Sequence, residues 1–195
     1  MTSPESAVSA LLVVDVQNDF CTSGALAVPG SESVVTAMNR HISHAVTRGW
    51  PVYASRDWHP QETSHFKEFG GQWPVHCVQD SQGARFHPSL QLPDDVIVVT
   101  KGDHTDEAGY SAFEGRTPDG RPLIEDLRRR GIAHLYVGGL ATDYCVKASA
   151  LDGLNAGLRV TLLEDAVAGV DVTPGDSTRA LDEMRGKGAA LATTP

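Results

Sequence analysis

The run Leu11-Leu12-Val13-Val14-Asp15-Val16 constrains this chain more than any other stretch. It is apolar on both alternating faces, which suits a strand buried on both sides, and such strands belong to parallel sheets covered by helices. Parallel neighbours need crossover connections, so helical patterns should alternate with further strands, and they do. Residues 31–48 repeat Val34, Met38, Ile42 and Val46 at i+4, with Ser31 as N-cap and Gly49 just past the end. His41 and His44 fall off that stripe and read as solvated surface residues. Residues 51–55 and 94–102 read as two more strands. Residues 122–130 read as a short helix with Pro122 in its first position and Gly131 after its end. Arg128 to Arg130 read there as a solvated, dipole-compatible terminus.

The fourth strand, Leu135-Tyr136-Val137, runs into Gly138 and Gly139. A helical pattern with Val146, Ala150 and Leu154 leaves the far side. Residues 158–163 make a fifth strand ending in Glu164-Asp165. Thr173-Pro174-Gly175-Asp176 opens a last helix with Ser177, Leu181 and Met184 facing inward, and residues 189–192 suit an edge strand. The expectation is a three-layer α/β/α sandwich around a central, mainly parallel sheet of five or six strands. At 195 residues and 41% hydrophobic, residues 1–195 suit one domain with a sizeable core.

A formal net charge of -9 disfavours nucleic acid and anionic membrane as partners. The N-terminus lacks a basic region followed by a long apolar segment, and the apolar run at 10–14 is far too short to span a bilayer. Cys21, Cys77 and Cys145 are too few and too scattered for a disulfide framework, which points to a reducing cytoplasm.

Chemistry concentrates at the ends of strands. With Thr142 or Asp143 as N-cap, Cys145 falls in the first turn of a helix. Amides without partners and the helix dipole favour negative charge there, hence a thiolate. The same amides could hold an oxyanion. The plainer alternative is a small buried cysteine at a strand–helix junction. Asp15 and Lys101 stand at the C-terminal ends of two other strands, the edge where sites form in open α/β sheets. Residues 56–93 form a long aperiodic stretch whose aromatics, Trp58, Phe66, Phe69 and Trp73, argue against disorder. It carries Asp57, His59, His65 and His76, a set suited to a divalent metal such as zinc, iron or manganese. His59 and His76 could instead only hydrogen-bond within a packed loop. His87 and His104 read as ordinary polar residues.

Several motifs in this order resemble the nicotinamidase/pyrazinamidase group of the isochorismatase-like cysteine hydrolases. They are Val14-Asp15-Val16-Gln17-Asn18-Asp19-Phe20, Asp57-Trp58-His59-Pro60, Trp73-Pro74-Val75-His76-Cys77, Lys101-Gly102, Tyr110-Ser111-Ala112-Phe113 and Gly139-Leu140-Ala141-Thr142-Asp143-Tyr144-Cys145-Val146. The resemblance implies a catalytic triad of Asp15, Lys101 and Cys145, and metal ligands Asp57, His59 and His76. It offers His65 as a fourth ligand, with Thr63 or Ser64 as alternatives. Phe20 and Trp73 match the rings that sandwich the substrate's pyridine, and Tyr110 belongs to the same binding region. Ala141 and Cys145 match the amides of the oxyanion hole, with a cis peptide between Leu140 and Ala141.

The implied reaction takes nicotinamide and water to nicotinate and ammonia through a thioester, with pyrazinamide as a second substrate. The implied cofactor is one divalent ion, zinc foremost, anchoring the pyridine nitrogen. Relatives range from monomers to larger assemblies, which leaves a homo-oligomer open. Rival readings are a carbamoyl-amide hydrolase of the same superfamily, or a noncatalytic protein that binds metal or pyridine.

Overall fold

The computed structural model describes residues 8–193. Six strands form one sheet in the order β3-β2-β1-β4-β5-β6, and every neighbouring pair is parallel. They are β1 (Val8–Val14), β2 (Val52–Asp57), β3 (Ile97–Lys101), β4 (Ile132–Leu140), β5 (Arg159–Ala168) and β6 (Ala190–Ala192). Four helices cover it: α1 (Ser31–Thr47), α2 (Leu123–Arg129), α3 (Lys147–Asn155) and α4 (Asp176–Gly186). The pleat of β1 divides two cores. Leu11 and Val13 pack with Val34, Met38 and Ile42 of α1. Ala10, Leu12 and Val14 pack with Leu123 and Leu127 of α2, Ala150 of α3 and Met184 of α4. One helix on one face and three on the other give the expected three layers.

The chain reverses its direction across the sheet between β1 and β4. In parallel α/β sheets the crevice at such a reversal, beyond the carboxyl ends of the strands, is where ligands bind. Gly139 lets those two strands close up. Its φ is 127°, and a Cβ there would stand 2.1 Å from the Val14 carbonyl oxygen, so no side chain fits.

Several local expectations differ from the structure. Val46 is 51% exposed, while Ala45 is buried. A strict four-residue repeat drifts on a helix of 3.6 residues per turn, and after three such steps Val46 has rotated about 120° away from Val34. Gly30, in a left-handed conformation, takes the N-cap, and Ser31 is the first helical residue. His41 is buried rather than solvated, its Nε2 lying 2.8 Å from Asp165 Oδ1. Asp165 and Glu164 lie inside β5, not at its end, because the strand continues to Ala168 past an irregularity opposite Val137 and Gly139. Pro122 is the N-cap of α2, and Arg129 and Arg130 close onto the buried Asp126 instead of simply facing water. Helix α4 starts at Asp176 behind Gly175. Its buried side chains are Ala180 and Met184, and Ser177 instead bonds Asp171.

Candidate active site

Strand register builds the site. Asp57 and Lys101 are paired across β2 and β3, so their side chains share one face at the carboxyl edge. Asp15 is the residue after β1, turned by a positive φ of 48°. Its carboxylate meets the other two strands' groups there. Lys101 is fully buried, with Nζ 2.8 Å from Asp15 Oδ2 and 3.6 Å from Cys145 Sγ. It also donates to Asp57 Oδ1, and to the Gly109 carbonyl at 2.6 Å. Ser55, one strand over, donates to Asp15 Oδ1 at 2.7 Å. Asp15, Asp57 and Cys145 thus surround one ammonium, which stands where a cation bound by those three groups would stand.

The charges follow from this packing. Burial pushes the Asp15 carboxyl up to about 6, with Lys101 pulling it down and Asp57 pushing it further up. Burial disfavours the Lys101 ammonium, but Asp15, Asp57 and Cys145 outweigh it and hold its pKa well above the usual lysine range. For Asp57 burial is likewise outweighed, here by Lys101 and His59, and it stays ionised below the ordinary carboxylate range.

The Cys145 thiol is pushed well up, first by burial and then by Asp15 and Asp57, with Lys101 opposing. This corrects the expectation of a thiolate favoured by a helix end. Neither Thr142 nor Asp143 caps a helix here. Thr142–Val146 forms a π-helical turn with no side-chain cap, and the Asp143 carboxylate instead accepts from the Val170 and Asp171 amides. Cys145 does fall in the first turn, and the peptide between Leu140 and Ala141 is cis.

Beside this group the long irregular segment gathers three imidazoles. The ligating nitrogens of His59, His65 and His76 lie within 4.8 Å of one another, and all three residues are buried. His65 stacks on His59 with centroids 4.6 Å apart. Thr63 and Ser64 both donate to the Thr105 carbonyl, and the Thr63 hydroxyl accepts from the His65 N–H at 3.3 Å. His59 Nδ1 lies 3.0 Å from the Gly102 carbonyl, and His76 Nδ1 lies 2.8 Å from the Pro74 carbonyl. A carbonyl accepts only, so each Nδ1 carries the proton and each Nε2 lone pair is left for a ligand. His59 Nε2 is buried without a hydrogen-bond partner, 3.7 Å from Asp57 Oδ2.

Burial, with His59 and His76 adding to it, lowers the His65 pKa to about 3; burial lowers that of His76 as well. Three clustered imidazoles, two of them with Nδ1 committed to a carbonyl, one orphaned buried nitrogen and an adjacent carboxylate fit a divalent metal.

One pocket opens onto both groups. Cys145, Asp57, His65 and His76 line it, together with Ala141, Phe20, Trp73 and Tyr110. Trp73 Nε1 donates to the Tyr110 hydroxyl at 2.9 Å, and Phe20 lies against His76 at 5.4 Å between centroids. Asp15, Lys101 and His59 do not line the pocket, but they lie directly behind the lining, Asp15 and Lys101 against each other and beside Cys145, and His59 against His65 and His76. Ser55 and Gly109 join the site from outside the sequence motifs, while Gly102 and Tyr144 stand within two of them without an expected role. Tyr144 sits edge-on to Trp73 at 4.8 Å. The two glycines touch at the base of one loop, and a Cβ on Gly102 would meet the His59 ring at 2.7 Å. Two glycines flanking a polar stretch directly after Lys101 were the available signal.

A parallel sheet whose carboxyl edge joins a cysteine, an aspartate and a buried lysine beside a histidine cluster is the architecture of an α/β cysteine hydrolase. The chain belongs to the isochorismatase domain family, whose sequence pattern matches residues 9–195. It is 42% identical to the nicotinamidase of Escherichia coli (strain K12), over 94% of both chains. It superposes on the zinc complex of the Pyrococcus horikoshii pyrazinamidase with a TM-score of 0.88 and 42% identity, covering 95% of this chain and 99% of that one. It also superposes on L. infantum PnC1 in complex with nicotinate, with a TM-score of 0.83 and 32% identity, over 99% and 96% of the two chains.

Proposed function

We propose that this chain is a nicotinamide amidohydrolase that also accepts pyrazinamide, with residues 1–195 acting as one hydrolase domain. The observation that carries the reading is the single pocket lined by Cys145, aromatic rings and neutral imidazoles. The nicotinamidase and pyrazinamidase relatives, and the nicotinate bound in a third, support the substrate.

The chain's own groups supply the steps. Asp15 accepts the Cys145 thiol proton as Sγ attacks the amide carbon. Because burial holds the thiol neutral at rest, proton transfer and attack go together. The Lys101 ammonium, 3.6 Å from Sγ, offsets the developing negative charge. The carbonyl oxygen becomes an oxyanion held by the Ala141 and Cys145 amides. Asp15 returns its proton to the nitrogen, the C–N bond breaks and ammonia leaves. Water then cleaves the thioester, with Asp15 taking its proton and passing one back to the thiol. Phe20, Trp73 and Tyr110 hold the ring.

Asp57, His59, His65 and His76 would bind the divalent metal, zinc by analogy with the P. horikoshii complex, and that ion would anchor the pyridine nitrogen. Cys21, Cys77 and Cys145 are all free thiols, which supports a reducing, cytoplasmic setting, and a nicotinate product suits pyridine-nucleotide salvage. Among the described residues no helix is long and apolar enough to cross a membrane.

The test is Cys145→Ala. Ammonia release from nicotinamide should fall by at least about 10⁴-fold with zinc binding intact. Retained turnover would refute the cysteine mechanism.

A further inference from the structure

Gln17 takes no part in the steps above, yet it is fully buried. Its Oε1 accepts from the Asp57 N–H at 2.8 Å, and its Nε2 donates to the Asp57 carbonyl at 2.8 Å and to the Ala84 carbonyl at 2.8 Å. One side-chain amide therefore closes on both backbone groups of a single residue, as another strand would, at the point where β2 ends. The Gln17 N–H in turn donates to the Asp15 carbonyl at 2.8 Å.

Two residues on, Asp19 makes a second grip. Its Oδ2 accepts from the N–H of Cys77, the residue after His76, at 2.7 Å, and its Oδ1 from the Ala25 N–H at 3.3 Å. Gly83 makes room for this carboxylate, since a Cβ there would stand 2.0 Å from Asp19 Oδ2. The segment leaving β1 thus holds Asp57 and the backbone beside His76 with alternate side chains.

We infer that Gln17 and Asp19 are positioning residues for the metal centre, setting its affinity by fixing the backbones that carry Asp57 and His76. The inference rests on the reading of those two residues as ligands. Its physical reason is that the β2 ladder ends at Asp57 and that regular structure is poor around His76. His76 lies on an irregular segment with isolated bridges instead of a strand ladder. A ligand's direction must then come from side chains that hold its backbone. Outer partners of this kind typically change metal affinity by about 10–100-fold when removed.

The test is a zinc titration against a chromophoric chelator, with metal-stripped wild type, Gln17→Ala, Gln17→Glu, Asp19→Asn and Leu127→Ala. Leu127 is fully buried in the core that α2 shares, and it takes part in none of the hydrogen bonds that hold Asp57 and the Cys77 N–H. Its variant reports what general destabilisation does to zinc binding. Gln17→Glu keeps the acceptor for the Asp57 N–H and gives up at least one donation, so it reads the role even if Gln17→Ala fails to fold.

The expected result is zinc binding weakened about 10–100-fold in the Gln17 variants and severalfold in Asp19→Asn, with Leu127→Ala within twofold of wild type. Gln17 and Asp19 variants that bind zinc as tightly as wild type, or that weaken only as much as Leu127→Ala, would overturn the inference alone. A wild type without zinc affinity would overturn the ligand reading and this inference with it.

Discussion

Asp15 shows how one residue's environment sets the chemistry. It is wholly buried, with Lys101 on one oxygen and Ser55 on the other. Burial outweighs the lysine and lifts its carboxyl to about 6. The base must be ionised to take the thiol proton, so the free-enzyme rate constant kcat/KM should fall as pH drops through about 6, approaching tenfold per unit below it. A pH profile checks this, and a flat rate down to pH 4.5 would remove Asp15 as the base. The convergence of Asp15, Lys101 and Cys145 was legible in the sequence because two of them close strands and the third opens the helical turn after another. The ionisation of Cys145 was not. Helix-end reasoning favours a thiolate, whereas burial and Asp15 favour the thiol, and burial is visible only once the strands are assembled. His41 escaped for a similar reason, since its partner Asp165 lies 124 residues away.

At the scale of elements, apolar runs placed the first five strands and helical spacing placed the helices, but their ends were set by contacts. Helix α2 illustrates this. Asp126 accepts from Tyr53 of β2 at 2.8 Å and from Arg121, Arg129 and Arg130. Burial alone would raise its pKa, but these hydrogen bonds hold it below the usual carboxylate range. The arginines are partly solvated, and the Tyr53 hydroxyl is buried. Asp126→Ala should therefore cost about 2–3 kcal/mol, most of it from Tyr53, measured by denaturant unfolding with unchanged slope. A depressed folded-state pKa means that this contribution is present above the ordinary aspartate value and is lost as pH falls below about 4. The difference between wild type and variant should shrink there. Gly139→Ala is the harsher change, because the added Cβ meets backbone in β1 that cannot swing away. It should cost more than about 3 kcal/mol or prevent folding, read from soluble yield and the thermal midpoint.

At the scale of the molecule, alternating strands and helices made the layers readable, and the reversal between β1 and β4 puts the crevice beside Asp15 and Ala141. The long segment after β2 was readable as functional from its histidines and aromatics, but not its folding. Gln17 and Asp19 clamp it from another part of the chain, and no local pattern announces them. A metal bound by His59, His65 and His76 would join this segment to the sheet edge through Asp57. Zinc at a hundredfold above its dissociation constant should then stabilise the fold by about 2.7 kcal/mol. That is a rise of roughly 5–10 °C in the thermal midpoint for a chain of this size.

The proposed activity of this pocket is hydrolysis of a pyridine carboxamide with metal and cysteine acting together. Its most direct test is ammonia release from nicotinamide by the purified protein, then by the same protein after chelation, then after zinc is restored. Turnover should fall on chelation and return with zinc. Turnover indifferent to chelation would contradict the metal's part in binding the ring, and no ammonia from any of the three samples would contradict the proposed reaction.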